Sequence, residues 1–164
     1  MSFDTSAGTR GARQPAGRVF RWLNALAARL LRHKRAAKLI GFDTLVLTTV
    51  GRKSGQDRTT PVGWFGGKDG SWLIVASAAG AAGNPAWYHN VAAHPDQVRI
   101  EVDGRKVAVA AEQLHGAERA QAWQQITTTA PRFVQYQQKT DRELPIIRLV
   151  PRSGQKAPDQ GGAE

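Results

Sequence analysis

The chain has 164 residues, the length of one domain, and 41% of them are hydrophobic, enough to bury an ordinary core. It has no cysteine, which excludes disulfides, thiolate metal sites and a cysteine nucleophile and fits a reducing cytoplasm. The formal net charge of +10 is concentrated at one end: nine of the 23 Lys and Arg fall in residues 1–38 against a single acid, Asp4.

Residues 1–16 are small and polar and lack the apolar core of a signal peptide, so they read as a disordered leader. Residues 17–40 read as a basic amphipathic helix. Val19, Trp22, Leu23, Leu26, Leu30 and Leu31 recur at spacings of three and four, Arg18, Arg21, Arg29, Arg32 and Arg35 fill much of the rest, and Gly41 closes the segment. Two readings stand side by side: the stripe docks on the domain, or residues 17–38 lie on an anionic bilayer and hold the protein at the inner face of the plasma membrane. No apolar run reaches the ~20 residues of a membrane span. The body beyond residue 38 is close to neutral, which disfavours nucleic acid as a partner and leaves only the basic arm for it.

From residue 41 to 151 the pattern is that of one β-rich domain. Strands are expected at Thr44–Val50, Thr59–Phe65, Trp72–Ser77, Val98–Val102, Lys106–Ala111 and Ile146–Val150, with Asp103-Gly104 as a two-residue hairpin turn. Helical pieces are expected at Pro85–Ala93, with Asn84 as N-cap and Pro85 at the first position, at Gly116–Thr127 on a stripe of Ala117, Ala120, Trp123 and Ile126, and at Pro131–Gln138. Residues 152–164 read as a disordered tail. Six short antiparallel strands with few helices predict a mainly β fold, a small antiparallel barrel and not a doubly wound sheet.

Three stretches carry chemistry. Gly51-Arg-Lys-Ser-Gly-Gln-Asp-Arg58 places three cations (Arg52, Lys53, Arg58) and the hydroxyl of Ser54 in a turn between two strands, ahead of Thr59, Thr60 and Pro61. A turn whose backbone N–H groups converge, backed by guanidinium forks, binds phosphate or carboxylate; a solvated polar hairpin is the plain alternative. The spacing is not that of a P-loop.

The second stretch, Val75 to Tyr88, ends a strand at Ser77 and continues through Ala and Gly to Asn84. Small side chains admit a flat ligand close to the backbone, and Trp87 and Tyr88 offer aromatic walls or core. In the third, Tyr136 to Pro145, Tyr136 is a hydrogen-bond donor at neutral pH, and Asp141, Arg142 and Glu143 read as a structural ion-pair cluster. His33, His89, His94 and His115 show no paired-ligand spacing, so no metal site is expected. Cations, small loops and aromatics without an acid, base or nucleophile imply that any catalysis relies on a bound cofactor.

Together, TTVGRKSGQDRTTP, VAS…NPAWYHN…HP and YQQKTDRELPIIRL resemble the deazaflavin (coenzyme F420)-dependent nitroreductase family from about Leu45 to Pro151. The resemblance implies an FMN-binding split-barrel-like fold, binding of reduced coenzyme F420 with FMN or FAD secondary, and hydride transfer to a lipophilic acceptor such as a quinone or nitroaromatic. It implies that Arg52, Lys53, Ser54, Arg58, Thr60 and Pro61 hold the coenzyme's phosphate and acidic tail. Val75, Ala76, Ser77, Ala78, Asn84 and Trp87 are implied to surround the ring, with Tyr136 and Ser77 as the catalytic candidates that offer hydrogen bonds. The chain departs from the pattern at Ala78, where the family has lysine, at Ala79 and Ala82, where it has Gly and Pro, and at Ala130-Pro131-Arg132-Phe133, which lacks two tyrosines. A lost charged hydrogen bond is worth ~1.5–3 kcal/mol, or one to two decades in affinity. A non-catalytic barrel holding a flavin, tetrapyrrole or fatty acid is the alternative.

Overall fold

The computed structural model describes residues 3–14, 17–31 and 43–152. Seven antiparallel strands form one curled sheet in the order β2-β1-β5-β6-β7-β4-β3: β1 (Thr44–Val50), β2 (Asp57–Gly63), β3 (Phe65–Gly66), β4 (Trp72–Val75), β5 (Val98–Val102), β6 (Arg105–Gln113) and β7 (Ile146–Pro151). Among the described residues four α-helices decorate it: α1 (Arg18–Leu31), α2 (Ala86–Ala93), α3 (Gly116–Thr129) and α4 (Arg132–Lys139). The expected split-barrel architecture is present.

The count is seven strands and not six because the run expected at Thr59–Phe65 breaks at Trp64. The Trp64 N–H still donates to the Asp43 carbonyl at 2.9 Å, one step beyond the Thr44–Gly63 pair, and from Phe65 the chain pairs with β4 instead, so β2 stays with β1 while β3 pairs with β4. The Asp103-Gly104 turn has positive φ at both positions (51° and 77°), as a type I′ turn requires, and joins β5 to β6 with Val102 opposite Arg105.

Side-chain alternation divides the strands between two cores. Trp72 and Ile74 of β4 and Ile147 and Leu149 of β7 point into the barrel with Leu45, Leu47 and Trp87. Leu73, Val75 and Ile146 point the other way, against Ile126 of α3 and Phe133 of α4. The buried stripe of α3 is Ala122 and Ile126, with Arg119 and Trp123 half-buried beside it; Ala117 and Ala120, expected on that face, are exposed. The helix runs on to Thr129, with the hydroxyls of Thr127, Thr128 and Thr129 donating back to carbonyls four residues earlier.

Residues 3–14, expected as part of a disordered leader, instead run along the domain. The Gly8 N–H donates to the Ala82 carbonyl and the Ala12 N–H to the Gly80 carbonyl, and Ala12 bridges Ala81. Glycine is needed for this approach, since a Cβ on Gly11 would lie 2.2 Å from the Ala82 nitrogen. Gly41, the end of the helix expected to residue 40, and nearly all of the expected tail lie outside the described residues.

Candidate active site

A cleft of about 530 Å³ opens between the turn after β1, the start of β2, the first turn of α2 and one face of α1. Arg52, Lys53, Ser54, Arg58, Thr60 and Trp87 line it, six of the residues singled out from the sequence. Phe20, Arg21, Asn24 and Ala25 of α1 close the outer side. Pro61 follows Thr60 on β2.

The cleft is strongly positive. Its one acid is Asp57, whose carboxylate accepts from Arg99 at 2.5 Å. Among the described residues, Arg21, Arg52, Lys53 and Arg58 have no carboxylate partner. Several like charges converging on one concavity focus a positive potential there. The charge reaches His89, whose pKa is lowered first by burial and second by Arg52.

The expected backbone nest differs in one respect. The N–H groups of Gly51, Arg52, Gly55 and Gln56 already donate to Gln56 O, Asn90 Oδ1, Gly51 O and Ser54 Oγ. The N–H groups of Lys53 and Ser54, at the tip of the turn, have no acceptor among the described residues. Two backbone donors therefore remain for an anion beside the guanidinium and ammonium groups.

Val75, Ala76, Ser77, Ala78 and Asn84 are not among the residues lining the cleft. Val75 and Ala76 are buried in the two cores. Ser77 and Ala78 begin a loop in which Ala78, Ala79 and Gly80 all have positive φ (45°, 53° and 83°). Arg142 holds this loop from beneath. Its guanidinium, 4% exposed, donates to the carbonyls of Ala76 (3.1 Å), Ser77 (2.9 Å) and Ala81 (2.8 Å) and to Asn84 Oδ1 (2.8 Å). Asn84 is not the cap of α2, a position taken by Pro85; its amide is spent on Arg142 and on the Thr5 carbonyl. The expected ion-pair cluster also separates. Asp141 binds the leader, Arg142 binds the loop, and Glu143 pairs with Arg119 at 3.1 Å.

Tyr136 is half-buried on α4. It stacks edge-on with Phe133 and lies under the Lys139 ammonium, and its backbone carbonyl presses on Gly80, where a Cβ would come within 2.5 Å. It is not among the residues lining the cleft.

Two residues central to this arrangement were missed in the sequence. Asn90 ties α2 to the cation turn, and its only signal was an amide inside a short apolar helix. Arg142 carried no signal that set it apart from its charged neighbours.

The model of the F420H(2)-dependent quinone reductase family matches residues 22–151, spanning the cation turn, the small-residue loop and α4. The chain belongs to that family. An F420H(2)-dependent quinone reductase of Mycobacterium tuberculosis (strain ATCC 25618 / H37Rv) is 39% identical over 113 residues, covering 66% of this chain and 74% of the relative. Among solved structures, an F420-H2-dependent reductase (FDR-A) superposes with a TM-score of 0.58 at 33% identity, over 65% of this chain and 92% of that one. A domain-swapped dimer superposes with a TM-score of 0.60 at 28% identity, over 80% and 98% of the two chains. As an F420H(2)-dependent quinone reductase the chain is an oxidoreductase that uses reduced coenzyme F420, and the non-catalytic alternative has no support. The residues present fit such a cofactor. Four cations without acidic partners suit a phosphate and carboxylates, and the apolar end of the cleft at Trp87 suits a flat ring.

Proposed function

We propose that this protein reduces a quinone at a membrane surface, gripping reduced coenzyme F420 by its acidic tail in the cleft beside Arg52. The observation that carries this reading is the convergence of Arg52, Lys53 and Arg58 on one cavity without acidic partners among the described residues. Bound there, the coenzyme supplies the hydride.

The chain's own residues bind, orient and exclude water. Arg52 and Arg58 present planar forks to phosphate or carboxylate oxygens, Lys53 adds a point charge, and the hydroxyls of Ser54 and Thr60 donate hydrogen bonds. Trp87, anchored in the barrel core, is a rigid wall for the ring. In this reading the ring extends past Trp87, beyond the cleft itself, to the backbone and small side chains of the loop from Ser77 to Asn84. Asn84 acts by holding that loop. Ser77 and Tyr136 are the hydroxyls assigned to the acceptor, and Ala130 and Phe133 add none, which favours a quinone over a nitroaromatic.

The membrane part of the reading rests on α1. Val19 is 71% and Trp22 64% exposed, with Leu23 and Leu26 beside them and Arg18 and Arg29 at the flanks. Trp and Leu on an exposed helix face with basic neighbours suit an anionic bilayer interface. No described helix is long and apolar enough to cross a membrane. The site in this reading faces the cytoplasm.

Titration with reduced coenzyme F420, FMN and FAD, followed by fluorescence, tests the assignment. Tight binding of the deazaflavin alone is expected. Arg52→Ala and Lys53→Ala should each weaken it about 10- to 100-fold, more at low salt than at high. Undiminished affinity in the double variant would overturn the assignment of the cleft.

A further inference from the structure

The helix that borders the cleft is mounted the unusual way round. An amphipathic helix normally turns its apolar stripe to the domain. On α1 the residues lining the cleft are Phe20, Arg21, Asn24 and Ala25, with Phe20 also exposed at the rim, while Val19, Trp22, Leu23 and Leu26 are exposed and do not line it. At 3.6 residues per turn the midlines of these two sets lie about half a turn apart. One face looks into the positive cleft and the opposite face looks out.

We propose that α1 is a wall shared by two ligands. Its inner face contributes Arg21 as a fourth cation for the acidic tail of the coenzyme, its outer face rests on anionic lipid, and each ligand strengthens the binding of the other. The proposal rests on the coenzyme reading of the cleft given above.

Two observations support it. Arg21 lines the same cavity as Arg52, Lys53 and Arg58 and has no carboxylate partner among the described residues, so a polyanion in the cavity meets it directly. In addition, α1 contacts the domain through β2 and β1, the strands that flank the cation turn, so whatever fixes the helix fixes one side of the cleft. Lipid that seats the outer face orders the inner one before the coenzyme arrives. By linkage, the coenzyme must favour the lipid-bound helix by the same factor.

Coenzyme affinity is measured by fluorescence with the full-length protein, free and with vesicles of phosphatidylglycerol or phosphatidylcholine. Expected for the wild type is a dissociation constant at least about five-fold lower with phosphatidylglycerol, and vesicle binding tightened by the same factor when coenzyme is present. Arg21→Ala should weaken coenzyme binding about ten-fold or more without vesicles, and Arg21→Lys should recover part of it. Trp22→Glu should abolish the vesicle effect. If Arg21→Ala binds like the wild type while Arg52→Ala does not, the proposal fails and the coenzyme site stands. Equal affinities with and without phosphatidylglycerol also overturn it. Failure of the wild type to bind the coenzyme under any condition removes both the functional reading and this inference.

Discussion

Asn90 Oδ1 accepts a hydrogen bond from the backbone N–H of Arg52 at 3.1 Å, and Asn90 Nδ2 donates to Thr49 Oγ1 at 3.2 Å. One buried amide thus fastens the cation turn and the end of β1 to α2, the helix that carries Trp87. Arg52 and Trp87 are held in fixed relation through this residue.

Asn90→Ala leaves the Arg52 N–H without its partner and opens a small void. Removing one partner of a buried hydrogen bond costs about 1–3 kcal/mol. The urea midpoint should fall accordingly, and coenzyme affinity should fall with it because the turn is untethered. A variant with unchanged midpoint and unchanged affinity would show that the amide does not position the turn.

Arg142 is the other fastening. Burial lowers its pKa from the ordinary guanidinium value, with Tyr88 acting in the opposite direction, yet a guanidinium stays charged at neutral pH. Arg142→Met strands four acceptors, the carbonyls of Ala76, Ser77 and Ala81 and the Asn84 amide oxygen. A loss of about 3 kcal/mol or more in urea unfolding is expected. Arg142→Lys, a single ammonium in place of a planar fork, should recover only part of it.

Ala79 sits at φ 53°, where a Cβ is strained by about 1–2 kcal/mol. Glycine relieves that strain and gives back about 0.5–1 kcal/mol in chain entropy. Ala79→Gly should therefore stabilise the domain by up to about 1 kcal/mol, a rise in Tm of about 2–4 °C in calorimetry. A drop in Tm would mean that the loop does not hold this conformation in solution.

What could be read from the sequence was what local pattern determines. The strand β1, the Asp103-Gly104 hairpin, the helix after Pro85 and the cation turn all follow from periodicity and turn chemistry within a few residues. What could not be read depends on partners distant in sequence. The expected run divides after Trp64 because Phe65 pairs with Leu73 of β4 and not with β1. Asp141, Arg142 and Glu143 look alike as a charged run but serve three elements: the leader, the loop and α3. The period of α1 reveals an apolar stripe but carries no information on which way the stripe points. The leader was read as disordered because its composition is polar. Its attachment relies on backbone bonds and on glycines that permit close approach, neither of which a hydropathy pattern records.

That attachment predicts an acid response. The Asp141 carboxylate accepts from Thr9 Oγ1, Thr9 N–H and Arg10 N–H. The Thr9 hydroxyl first and the Arg10 amide second lower its pKa from 3.8 to about 2. Once the leader lifts off, the carboxyl regains its ordinary value, so the attached state binds fewer protons than the released one. Attachment is therefore complete above about pH 4 and weakens as the pH falls through about 2. Amide exchange at Gly8, Thr9 and Arg10, measured between pH 5 and pH 2, should show protection draining away in this window while the barrel amides stay protected. Asp141→Asn should lose leader protection already at pH 5 and show no titration below it. Flat protection in the wild type across the window, or an identical profile in the variant, would mean that the leader is held without Asp141, by its backbone bonds to Gly80 and Ala82 and its side-chain bonds to Asn84, Tyr88 and Gln113.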